Sequence, residues 1–218
     1  MIRRDYFIKL VQELSSVLMR VFSLKARREF AAALEEIDLA LEKYLHLAPD
    51  EAIPEKLDHL LRLCGREEGP VNEKVILLAD VFYQQGELLT LRKGSGAARR
   101  PFLLALGLYL ESARHGFVSL DLIKKTDTLV ERMSDAPLPV PILRRLFAYL
   151  EDRALYATAE NALYEWLDQD STAAAPEGLA FYDRLLKKID ADLERGGLPR
   201  AEVEEGRNKL LNHARGSS

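Results

Sequence analysis

The amino-acid sequence predicts an all-α fold, a stack of about ten antiparallel helices. Three observations carry that prediction. Apolar residues recur at three- and four-residue steps along nearly the whole chain, prolines and glycines fall between those stretches, and no segment shows the two-residue alternation of a convincing strand.

The first helix is expected over 3–24, where Tyr6, Leu10, Leu14, Val17 and Val21 form one stripe and Phe7, Val11, Leu18 and Phe22 widen it. A second follows over 27–47, and a third over 53–64, opened by Pro54 and closed by Gly65. The fourth, 71–92, is set between Pro70 and Gly94, and the fifth, 98–114, has Pro101 in its first turn and ends before Gly116. A sixth is expected over 119–133. The segment "MSDAPLPVP", Met133 to Pro141, then carries three prolines in five residues. It is the best candidate for an internal corner, at 133–141, in what otherwise reads as a single domain spanning 1–218. Helices over 140–152, 154–169, 175–194 and 200–214 complete the chain, with Pro141, Pro176 and Pro199 as openers and Gly196 as a terminator.

Composition narrows the function classes. The 218 residues are 48% hydrophobic, and 31 basic residues nearly balance 35 acidic ones for a net charge of −4, so no global field draws the chain onto nucleic acid. The single cysteine, Cys64 in "LLRLCGR", excludes an internal disulfide and a four-cysteine zinc site and occupies an apolar helical position. Asp5, Lys9, Gln12 and Glu13 interrupt any secretory-signal core in the first helix, and no stretch approaches the roughly 18 apolar residues of a membrane span. A cytoplasmic location is the resulting expectation.

One spacing returns three times: Phe30, Ala33, Ile37 and Ala40; Ser95, Ala98, Phe102 and Ala105; Tyr156, Ala159, Leu163 and Trp166. Small residues at these intervals let antiparallel helices approach while a large residue one turn on fills the space beside the contact. With Phe82 and Gly86 upstream in "LADVFYQQGELL", the middle copy resembles the tetratricopeptide repeat, which implies a right-handed stack of helical hairpins. The copies recur at about twice the usual period of that repeat, and the third has Phe147 where glycine is expected. A second resemblance rests on "DYFIKLVQEL" from Asp5, "YATAENALYEWL" from Tyr156 and "FYDRLLKKIDADLERGGLPRAEVEEG" from Phe181. Asp5 and Tyr6, Ala159 and Glu160, Phe181, Tyr182 and Leu185, and Glu202 to Gly206 resemble a family of small all-helical bacterial proteins that carries a domain-of-unknown-function label. That resemblance implies a bacterial, cytoplasmic protein and brings no activity or site residue with it.

Candidate chemistry is sparse. Glu42 and His46, Glu55 and His59, and Glu111 and His115 have the spacing of neighbours on one helix face, and read as surface ion pairs rather than metal ligands. No nucleophile elbow, paired-carboxylate motif or phosphate loop occurs, so neither catalysis nor a cofactor is expected. The sharpest polar feature is "LRKGSGAARRPF", where Arg92, Lys93, Arg99 and Arg100 flank a glycine-rich turn. These four could hold an anion or nucleotide at a helix start. The expected function is a protein-interaction module or adaptor that holds a peptide or partner helix on a concave face, with an unidentified protein as partner. Projecting the repeat's groove positions nominates Asp80, Tyr83 and Glu87 in the middle copy and Arg144 and Glu151 in the third. The alternatives are a self-associating homodimer and an anion or nucleotide sensor built on the 92–100 loop.

Overall fold

The computed structural model describes residues 2–46, 51–64, 71–114 and 119–216. Among the described residues lie eleven α-helices, one short 3-10 turn and no strand. The chain divides into two compact units, Met1–Ala136 and Pro137–Ser218, and the division falls within the three-proline segment.

The first unit contains α1 (Ile2–Ala26), α2 (Phe30–Leu45), a 3-10 turn at Pro54–Lys56, α3 (Leu57–Leu63), α4 (Val71–Lys93), α5 (Ser95–Arg114) and α6 (Leu120–Arg132). Helix α4 is its organising element, packing against α1, α2 and most extensively α5, while α5 in turn carries α3 and α6. Leu10, Leu14, Val17 and Val21 of α1 are buried as their spacing requires; Phe22 is not, remaining 48% exposed at the edge of the stripe. The contact between α4 and α5 is close because Gly86 has no side chain. A Cβ there would lie 2.4 Å from the ring of Phe102. Phe102 therefore lies across the bare backbone of α4, and Ala98 and Ala105, one turn to either side, are fully buried. Cys64 is buried and free, and burial pushes its thiol pKa up to about 12.

The second unit contains α7 (Val140–Asp152), α8 (Tyr156–Gln169), α9 (Ser171–Leu185), α10 (Asp190–Arg195) and α11 (Arg200–Gly216). Its core is aromatic. The Phe147 ring lies 6.3 Å from Trp166 and 5.2 Å from Phe181, which in turn lies 5.3 Å from Tyr182. Gly206 allows α11 to pass over Tyr182, since a Cβ there would be 2.4 Å from the phenol oxygen.

Several boundaries differ from the sequence expectation. The helix expected over 175–194 is two helices, because α9 stops at Leu185 and Arg200 donates hydrogen bonds to the carbonyls of Leu186 (3.1 Å) and Lys188 (2.6 Å) just past its end. Those bonds satisfy acceptors that a continuing helix would have used. Pro176 opens nothing; α9 begins five residues earlier at Ser171, where the Asp170 carboxylate accepts from the amide of Ala173 at 3.1 Å. Helix α5 likewise begins at Ser95, which puts Gly96 inside it and Pro101 beyond its first turn. Gly94 alone, with φ +85°, turns the chain between α4 and α5. At the end of α10 the left-handed residue is Gly197 rather than Gly196. Gly65, Pro70, His115 and Gly116 lie outside the described residues, as do the side chains of Asp5, Tyr6, Phe7 and Ser95.

Candidate functional site

Asp80, Tyr83 and Glu87 are spaced by three and four residues and fall on one stripe of α4, beside the stripe that packs on α5. All three are half-buried. The cause is the neighbouring helices. On one flank, Lys25 of α1 donates to Gln84 at 3.0 Å and lies 3.9 Å from the Glu87 carboxylate. On the other, Lys125 and Arg132 of α6 reach Asp80 at 2.8 Å and Glu87 at 2.6 Å. Tyr109 of α5 donates its hydroxyl to Asp80 at 2.5 Å, and Lys125 also lies 2.9 Å from Asp121. The result is a polar strip running from α1 across α4 to α6, with Tyr83 at its centre.

The strip orders itself. Partly exposed ion pairs contribute about 1 kcal/mol or less each, so their main effect is to fix the spacing of three helices rather than to hold the unit together. Burial works to lower the pKa of Lys125, but its bonds to Asp80 and Asp121 outweigh that and hold it above the usual lysine value. Tyr83 is raised by burial and by the neighbouring Glu87, so it presents a protonated hydroxyl at neutral pH; its ring meets Phe102 edge-on at 5.8 Å. Arg132 completes this region by lying 4.7 Å above the Phe102 ring.

The other two nominated groove residues lie in the second unit. Arg144 sits 5.9 Å over the Trp166 ring, and Glu151 accepts two bonds from Arg184, both at 2.7 Å. Trp166 is buried, and its Nε1 has no hydrogen-bond partner among the described residues.

The four basic residues of the 92–100 loop are not brought to one point. Arg99 turns toward the end of α6, where it binds the Asp135 carboxylate at 2.8 Å and the Ala136 carbonyl at 2.8 Å. Arg92, Lys93 and Arg100 instead line an open cleft of about 450 Å³ between α2, α4 and α5. Across it stand Glu35, Asp38 and Glu42 of α2, with Leu34, Leu39 and Leu89 between the two walls. Asp38 accepts from Gln85 at 3.1 Å, and burial raises its pKa against the opposing pull of that bond and of Arg100.

The paired-histidine reading needs correction. Glu42 and His46 form no ion pair, because His46 caps α2 with a left-handed φ of 51° and leaves the helical register. Glu55 and His59 form none either, and Glu111 is buried rather than at the surface. No cluster of three or more potential metal ligands occurs among the described residues, and no helix there is long and apolar enough to cross a membrane.

One constellation had no motif to announce it. Tyr182 donates to the Glu160 carboxylate at 2.6 Å over Gly206, so residues from α8, α9 and α11 meet at one point. Burial raises the Glu160 pKa; the bond from Tyr182 lowers it by less, and Glu202 and Glu205 add to the rise. Burial also raises Tyr182, as does its bond to the same carboxylate. The arrangement joins three helices with one charged group and one ring.

Helical hairpins without a strand among the described residues define an all-α protein. The chain belongs to a family of unknown function (DUF6483), which it matches over residues 1–215. No curated protein and no solved structure matches it.

Proposed function

We propose that this chain is a tetratricopeptide-like, right-handed stack of helical hairpins that works as a protein-interaction module or adaptor, in a bacterial and cytoplasmic setting. A peptide or partner helix lies along the face formed by α1, α4 and α6. The observation that carries the reading is the half-buried row Asp80, Tyr83 and Glu87 on the middle helix of three. A stripe with ion-pair partners on helices at either flank makes a floor rather than a ridge, and Tyr83 is the kind of amphipathic aromatic that anchors interfaces. Recognition then proceeds without making or breaking a covalent bond: the partner's polar groups exchange with the strip's ion pairs, while its apolar side chains cover Tyr83 and the half-exposed Phe22.

The test is affinity capture with the tagged full-length protein from its own host, comparing wild type with Tyr83→Ala and Glu87→Ala. A protein recovered by wild type, lost with both variants and retained by Arg144→Ala supports the reading. Recovery of the same set by all four proteins, or of no partner by wild type, overturns it.

A further inference from the structure

The cleft between α2, α4 and α5 lies on a different part of the first unit from the Tyr83 strip, and it has a property the strip lacks. Four of its charges, two on each of two walls, are left unpaired. Glu35 and Glu42 on the α2 wall, and Arg92 and Lys93 on the α4 wall, enter no ion pair or hydrogen bond among the described residues. The strip satisfies its charges within the unit, whereas these two carboxylates and two cations are left for charges from outside. Between the walls lie Leu34 and Leu89, and the crest of the acidic wall carries Leu39, a large apolar side chain left 57% exposed.

We propose that a second copy of this chain docks here, in a two-fold symmetric dimer. A two-fold axis through the cleft exchanges its walls, so the acidic wall of each copy meets the basic wall of the other and both sets of unpaired charges are satisfied at once. The same rotation covers Leu39 of each copy with the aliphatic stems of the partner's basic wall. Two complementary walls on one surface are what an isologous contact requires. A partner of one charge sign would satisfy only one wall and leave the other desolvated and repelled. The proposal does not rest on the recognition face described above, and either can fail alone.

Sedimentation velocity on the full-length protein over a wide concentration series tests it. Wild type is expected to dimerise. Glu35→Lys with Glu42→Lys makes both walls basic, Arg92→Glu with Lys93→Glu makes both acidic, and each double variant alone is expected to self-associate at least tenfold more weakly. Mixed together, they present complementary walls and are expected to recover a heterodimer. All four positions are exposed, so circular dichroism should show unchanged helicity; Leu39→Ser is a further variant that breaks the contact without altering the charge of either wall. Four results overturn the proposal: a wild-type monomer at every concentration, a dimer indifferent to all three variants, no heterodimer on mixing, or a dimer broken by Tyr83→Ala instead.

Discussion

The hairpins α4–α5 and α7–α8 solve one packing problem in opposite ways. In the first, Gly86 of the leading helix lies under Phe102 of the following one, sixteen residues on. In the second, the same offset pairs Phe147 with Leu163, so the large residue has moved to the leading helix. The glycine has not vanished. Gly178 of α9 makes room for Leu163, since a Cβ there would lie 3.0 Å from one Leu163 methyl and 2.8 Å from Leu210. In α1–α2 the offset pairs Val21 with Ile37, both fully buried, and needs no glycine. One hairpin register thus accepts pairs of different total volume when neighbouring helices make the room, and a strict residue motif is only one way to fill it.

The sharpest break in this comparison is Phe147→Ala. Its ring is 4% exposed and touches two further aromatic rings, so truncation should destabilise the protein by about 3–5 kcal/mol, read from urea unfolding. A loss under about 1 kcal/mol would mean the second unit does not depend on this ring.

Gly86→Ala should cost less. Alanine gains about 1 kcal/mol of helix propensity over glycine, while overpacking against the buried Phe102 ring costs about 1–3 kcal/mol, leaving a net destabilisation. Adding Phe102→Leu should remove the clash and expose the propensity gain, a coupling that a double-mutant cycle measures. Additive effects would show that the two residues do not share one space.

The smallest effect concerns the Glu160 and Tyr182 contact, which has no counterpart in the first hairpin. Burial holds the folded Glu160 pKa above its ordinary 4.5. Ionisation therefore opposes folding: wild type gains stability as pH falls from neutrality through the raised folded value, and keeps that gain in full below the unfolded value. Glu160→Gln lacks this titration, so its stability relative to wild type should decline over the same acidic window. A difference that stays constant with pH would show that burial does not perturb this carboxyl.

Most helices were legible because periodicity and punctuation are local properties of the chain. Helices 140–152 and 71–92 needed nothing more than their apolar spacing and a flanking proline or glycine. The errors arose where a distant group decides the outcome. Nothing near Leu185 marks an end; the carbonyls beyond it are satisfied by Arg200, from the next helix but one. Proline at 176 resembles an opener only if the Asp170 cap is overlooked. At the candidate site, helical spacing placed Asp80, Tyr83 and Glu87 on one stripe, yet their partners Lys25, Lys125 and Arg132 follow from which helices are neighbours. Spacing also separates Arg99 from Arg100 by about 100°. It does not say that one meets Asp135 and the other lines a cleft.

The burial of Cys64 makes the folded molecule its own timekeeper. A thiol held at a pKa of about 12 and closed to solvent offers an alkylating reagent almost no thiolate. Because the chain has a single cysteine, every labelling event reports one opening of the first unit around that site. The labelling rate, followed against reagent concentration, separates how often the unit opens from how long it stays open. Ligand binding or self-association that holds the helices shut would slow that clock without any probe being engineered into the protein.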